Sequence, residues 1–471
     1  MSRSLKTRTN KEEEMMIKVK LLAHTDADPL VLASHAAKVC YQSEMPEFGK
    51  LLDVKKRLFD VGHHTTLQHT YFTFAIEGIS VGDITLGMHL AHPFYNSDQR
   101  SGRYCAKMFE EPDFVEIEKY VRQFWPQVKG EQRKKVMRYV RNAVAMYNKN
   151  IVAAREKSKV FLKAERPYVN EGYIEQNSPK IAQEQTRMFI PVIFPTAFDY
   201  TINLTALVAM YESAWTPAMR YVTEKMVEAV LEKFPELSFM FNPEKRRRDE
   251  WALELPKKSS IKISKKPKLK LLNIIGEKDF SMPESKDMHP VDHLHFKPEY
   301  MDNSFGAILT EIELSLATMG QDQRHRTIGR SKPRFTGNFY LPPILTSMGL
   351  QKDAIGLMEE WIKISREIPA TLAMIIAPYG AMVKYRKRGS FNAVAHEQGK
   401  RLCWCAQEEI YHAGRLLRKA AIEKSKGKNS KLLKMLEPPC YRTGRCAEGN
   451  RYCGRDMKLR KRGDYFPERK V

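Results

Sequence analysis

Cysteine is scarce and unevenly placed, with seven in 471 residues and five of them beyond residue 400. An odd number bunched late in the chain does not make the disulfide framework of a secreted domain. No apolar run is long enough to cross a bilayer. The segment Met1 to Asn10 is basic and polar and lacks the apolar core of a secretory signal, so a cytoplasmic location is expected. Zinc-finger spacing, an RRM-type aromatic motif and a Gly-rich phosphate loop are also missing. The net charge of +23 therefore comes without a nucleic-acid motif, and nucleic acid is not the expected partner. Much of that charge sits in Lys245 to Arg248 and in Lys257 to Lys270, which read as a solvated linker. With 42% hydrophobic and 29% charged residues, the rest reads as globular and long enough for two or three domains.

What the chain does have is a dense cationic run. Gln321-Asp322-Gln323-Arg324-His325-Arg326 is followed by Arg330, Ser331 and Arg334. Cations this close repel one another unless an anion sits between them. Guanidinium forks suit phosphate and planar carbonyl edges, so the run reads as a site for a flat, phosphorylated ligand.

Two stretches repeat a strand-like alternation, Ile17 to Leu22 and Lys268 to Leu272. Each leads into a β-rich or apolar segment, a polar loop and long amphipathic helices. The expected domains are residues 1–255 and 268–471, joined by a basic linker at 256–267. Tyr71 to Ser80 reads as a strand with a bend at Gly78. Tyr120 to Phe161 and Gln351 to Arg366 read as helical. Grouped strands with long helices give an α+β class in each half.

The RHR run with its trailing Ser and Arg resembles the signature of the flavin-dependent thymidylate synthases. Here Ser331 and Arg334 are one residue further apart than in that family, and Phe335 stands where it usually has Tyr. The strand Tyr71 to Ser80, preceded by His69, resembles the family's FTFEIEG element, which implies that His69 reaches the flavin. Ala182 to Pro191 resembles E-x-A-R-x-x-L-P, with Thr186 in place of Ala, which implies a phosphate role for Arg187, with Glu184 able to pair with it along a helix. Asn203 falls at a flavin-contacting position. Arg401, ahead of Ala406-Gln407-Glu408-Glu409-Ile410, falls where the family contacts the pyrimidine base, and Cys405 replaces a His.

Under this resemblance the two halves have lost different parts. The first reads Met88-His89-Leu90-Ala91-His92 where RHR should be, although Ser101-Gly102-Arg103-Tyr104 keeps a trailing Ser-x-Arg-Tyr. The second has Ser304 for the strand-leading His and Met374 for the phosphate-binding Arg. The resemblance implies two tandem thymidylate-synthase-complementing-like domains, each a mainly antiparallel sheet with long helices. It implies composite sites and a homodimer acting as a pseudo-tetramer. The implied reaction is reductive methylation of dUMP to dTMP, with FAD as cofactor and NADPH and methylenetetrahydrofolate as co-substrates. Arg324, Arg401 and Gln321 would act on the reacting base. His69, Asn203, Arg324, His325 and Arg326 would hold the flavin. Gln321, Arg187, Ser331, Arg334 and Arg401 would hold the nucleotide. Alternative readings are a C5-modifying enzyme for another pyrimidine nucleotide, or an inactive flavin-, nucleotide- or RNA-binding homologue. No metal is assigned. The late Cys440, Cys446 and Cys453, with Cys403, Cys405 or His412 nearby in sequence, leave metal, reduced thiols and disulfide open.

Overall fold

The computed structural model describes residues 16–91, 94–256, 261–276, 306–425, 433, 436–444, 446, 452–456 and 466–471. His92 and Ser304 lie outside them. Two sheets organise the chain. In the first, Tyr71–Ser80 and Pro195–Asn203 are central, flanked by Lys18–His24 and Tyr95–Gln99, all antiparallel. In the second, Ala307–Ser315 and Ala381–Ser390 are central. Lys268–Ile275 flanks the former, and Gly329–Arg330 and Arg334–Tyr340 flank the latter, again antiparallel. This is the mixed helix and antiparallel-sheet class expected.

Alternation sets the facing of each strand. In Tyr71–Ser80 the side chains of Phe72, Phe74 and Ile76 are buried, while Tyr71 and Glu77 are exposed, as period two requires. Gly78 has φ +85°, and a Cβ there would collide with the Met16 carbonyl. The pairing register slips between Glu77 and Ile79, so the expected bend is a bulge that only glycine fits. The expected helix around Tyr120 is two, Phe114–Phe124 and Gly130–Glu165. Pro126 follows the end of the first and disfavours helical geometry at Trp125. Gln351–Ser365 buries Ala354, Leu357, Met358, Trp361 and Ile362 on one stripe, the spacing of an amphipathic helix.

The halves meet reciprocally. Val192 N donates to Ala377 O at 2.9 Å, and Tyr379 N donates to Ile190 O at 2.8 Å, with Pro191 opposite Pro378. Trp125 Nε1 donates to Thr371 Oγ1 at 2.9 Å. One hydrophobic cluster runs through both halves, so they share a core.

The basic stretch differs from a solvated linker where it is described. Phe335 N donates to Glu254 O at 3.3 Å, Phe339 N to Lys262 O at 3.0 Å and Leu341 N to Ser264 O at 2.9 Å. Ile263–Ser264 pairs in parallel with the end of Arg334–Tyr340. An open strand edge needs partners, and Leu253, Ile261 and Ile263 supply apolar contacts among the lysines.

Candidate active site

The cationic run is built on a buried polar frame. Ser315 caps the helix Leu316–Asp322. Glu409 accepts from Ser315 N at 2.8 Å and from Ser315 Oγ and Thr318 Oγ1, each at 2.5 Å. Asp322 is buried and accepts from Arg330 Nε at 2.6 Å, Tyr385 Oη at 2.8 Å and Lys387 Nζ at 2.5 Å. Burial opposes its charge, but Arg330 and Lys387 hold its carboxyl well below the usual range. Arg330 also donates to the carbonyls of His325, at 3.1 Å, and Ile328, at 2.8 Å. Arg330 therefore fastens the loop instead of facing a ligand.

A cavity of about 150 Å³ opens beside this frame, and both halves line it. The first half supplies Arg187 and the loop Gln99 to Tyr104; the second supplies Gln321, Arg324, Arg326 and Arg401. Arg187 is 5% exposed and lies 5.1 Å from the Tyr379 ring. Its Nε has no hydrogen-bond partner among the described residues. Burial lowers its pKa, with Tyr379 and Glu184 acting the other way. Gln321 Nε2 donates to Gln407 Oε1 and Arg401 donates to Gln321 O, yet Gln321 Oε1 and Arg401 Nε are buried without partners among the described residues. Burial, with Arg103 and Arg324 nearby, lowers the Arg401 pKa to about 10 despite Glu397 and Asp322. Arg326 reaches across to Ser97 O at 2.5 Å and Ser97 Oγ at 3.0 Å, and stands 5.1 Å from the Tyr95 ring. Arg324 is exposed and lines this cavity and a neighbour of about 370 Å³. His325 lines the neighbour and lies 5.4 Å from His396. Burial, then Arg401, pushes its pKa well down, so the ring is neutral.

Besides His325, four of the expected site residues lie outside this cavity wall. His69 is exposed at the end of the turn His64–His69. Asn203 is buried and caps the helix Leu204–Ser213 by accepting from Ala206 N at 2.8 Å. Ser331 Oγ accepts from Arg386 N at 2.9 Å, and Arg334 is an exposed residue opposite Lys384 in the sheet. The longer Ser331 to Arg334 spacing explains this pair, because residues three apart in extended chain face opposite sides.

In their place the first half's Ser101 and Arg103 line the cavity. That Ser-x-Arg was visible in the sequence but belongs with the other half's arginines. Glu184 pairs with Arg103 and not with Arg187. Gly102 lets the loop close down, since a Cβ there would meet Arg187 Nη1 at 3.1 Å. His89, where the first half was expected to carry an RHR, also lines the cavity and hydrogen-bonds Ser97 Oγ at 2.9 Å. Burial, then Arg326, lowers its pKa to about 3. Met374 is fully buried. None of the cysteines forms a disulfide, and no three His, Cys, Asp or Glu side chains among the described residues are placed to hold a metal. His412 Nε2 is occupied by Arg469 N at 3.1 Å.

Fold and site together define a mixed helix and sheet protein with a cationic cleft suited to a phosphorylated, planar ligand. Residues 20–236 match the family model described as thymidylate synthase complementing protein. The flavin-dependent thymidylate synthase of Clostridium tetani (strain Massachusetts / E88) is 27% identical over 206 residues, covering 42% of this chain and 74% of the relative. Two crystal structures of ThyX from Helicobacter pylori with FAD and dUMP are 20% and 19% identical. They cover 48% and 49% of this chain and 97% and 100% of their own, with TM-scores of 0.33 and 0.32. Over residues 20–236, less than half of its length, the chain is similar to the thymidylate synthase complementing family. No helix among the described residues is long and apolar enough to cross a membrane.

Proposed function

We propose that this protein is a flavin-dependent thymidylate synthase of composite design, converting dUMP to dTMP with methylenetetrahydrofolate and NADPH. The observation that carries the reading is the convergence of Arg187 from one half with Gln321, Arg324, Arg326 and Arg401 from the other on one cavity. The family match falls on residues 20–236 and the RHR run lies outside it, so the reading draws on both halves by separate routes.

The residues fit a flavin and a nucleotide. Buried, unpartnered donors on Arg187, Arg326 and Arg401, and the Gln321 acceptor, are costly unless a ligand satisfies them. Arg324, His325 and Arg326 would hold the flavin, and Arg187, Ser101 and Arg103 the nucleotide phosphate. When bound, FAD supplies the hydride that completes the methyl group. Arg401 and Gln321 would orient the base and stabilise charge building on its carbonyls. Neutral His325 and the arginines beside it would favour an anionic ring over a protonated one.

The reciprocal contact through Pro191 and Pro378 and the matching strand orders support a tandem duplication with halves 1–255 and 268–471. Such an arrangement is the single-chain counterpart of an isologous interface. His69 and Asn203, outside the chain's own cleft, would contribute to the cleft of a second copy. Ser331 and Arg334 lie on the sheet surface and would serve a nucleotide only from there.

The test is tritium release from C5-labelled dUMP with FAD, NADPH and methylenetetrahydrofolate. Release that requires all three supports the reading. A flavin-loaded protein that releases no tritium refutes it.

A further inference from the structure

A second chamber, of about 500 Å³, adjoins the cleft, and Arg103 and Tyr104 line both. Its charge is lopsided. Arg103, Arg166, Lys180 and Arg469 line it against Glu184 as the one acidic side chain, with Val471 also on the wall, and Glu184 is taken by Arg103. Arg166 and Arg469 are 3% and 2% exposed. Among the described residues, neither these two nor Lys180 has an Asp or Glu carboxylate within ion-pair distance, but Arg469 donates to Val471 O from Nε at 2.9 Å and from Nη2 at 2.7 Å. Both guanidinium groups donate to one carbonyl, Trp404 O, at 3.0 and 2.9 Å. Arg166 also donates to Tyr173 Oη at 2.7 Å, and Arg469 to Ala406 O at 3.2 Å. Arg166 Nε and Arg469 Nη1 remain buried without a partner. Glu165 is within electrostatic range of both arginines, but its oxygens accept from Lys470 N at 2.5 Å and Val471 N at 3.3 Å.

Clamping the loop at Trp404 to Ala406 explains part of this arrangement. It leaves one buried N–H donor unanswered on each of two arginines that line the chamber, and it gives Lys180 no role. Like charges this close favour an anion between them. Tyr104, 61% exposed, offers a flat face at the passage to the cleft.

We propose that this chamber binds the phosphate or carboxylate end of a second ligand, whose planar ring lies along Tyr104 toward the cleft. This deepens the reading above by giving a co-substrate its own anion site, and its test separates the two.

The full-length chain, saturated with FAD and dUMP, is titrated calorimetrically with inorganic pyrophosphate. Binding is expected, weakened about tenfold for each lost charged contact in Lys180→Gln and Arg166→Gln, and unchanged in Lys419→Gln, an exposed lysine outside both cavities. Displacement of pyrophosphate by NADPH identifies a phosphate source, and displacement by tetrahydrofolate a carboxylate source. Lys180→Gln lies on the wall away from the cleft, so its FAD content should equal that of the parent whether or not the flavin reading holds. Absent pyrophosphate binding, displacement by neither compound, or an affinity unchanged in both Lys180→Gln and Arg166→Gln overturns the proposal.

Discussion

Arg187 and Arg330 show how two buried arginines of one site can have opposite jobs. Arg330 neutralises Asp322 and holds two loop carbonyls. Removing it in Arg330→Ala strips a buried carboxylate of one of its two cations, a change that costs about 3–5 kcal/mol when a pair is broken. Arg187 has only an aromatic face and an unanswered Nε. Arg187→Ala should therefore weaken dUMP binding by about 1.5–3 kcal/mol, the range for charge-assisted hydrogen bonds, without lowering the melting temperature. Calorimetric titration and thermal melts of both variants check the contrast. The RHR run was legible from charge density alone. The job of Arg330 was not, because Tyr385 and Lys387 reach Asp322 from more than sixty residues away.

His412 adds a pH dependence at the same scale. It accepts a hydrogen bond from Arg469 N, so the folded state needs the ring neutral. Burial, then Arg469 and Arg415, lowers its pKa from 6.5 to about 4, with Glu468 opposing and Lys266 adding a little. Between those values the unfolded chain binds more protons, so stability falls as pH drops from 6.5 toward 4. The slope is at most about 1.4 kcal/mol per pH unit from this group. His412→Gln keeps an acceptor without titrating, and denaturant melts across that range should show a shallower decline. An identical slope would discount His412.

Elements were read more faithfully than the loops between them. Tyr71–Ser80 announced itself by alternation, and Gly78 by its place in that alternation. The loop Gln99 to Tyr104 showed its Ser-x-Arg but not the role of that motif, since it has no arginine pair in its own half. Its approach to Arg187 depends on Gly102. Valine there would push against Arg187 and the Phe109 ring, which a Cβ would already meet at 3.2 Å. Gly102→Val should lower dUMP affinity about as much as Arg187→Ala while circular dichroism stays unchanged. Parental affinity in this variant would show that the loop does not place Arg187.

At the scale of the whole molecule, the pairing of the halves was the least legible feature. Local patterns identify strands and helices, whereas the reciprocal bonds around Pro191 and Pro378 follow from packing between distant segments. The expectation that the halves keep complementary remnants places Arg187 and Arg324 in one cavity, but it leaves His69 and Asn203 outside that cavity. If a second copy brings them in, light scattering coupled to size exclusion should give twice the chain mass of 54.6 kDa. His69→Ala should then reduce FAD content without altering that mass. A monomer with full FAD content would remove the need for a partner.

The most direct measurement is the FAD bound per chain at saturation, read from flavin absorbance in the parent and in Arg187→Ala and Arg324→Lys variants loaded with dUMP. Shared ownership of the cleft predicts one flavin per chain, retained poorly by Arg324→Lys, and dUMP-induced spectral change lost in Arg187→Ala. Two flavins per chain, or full loading with an undiminished dUMP response in both variants, would contradict it.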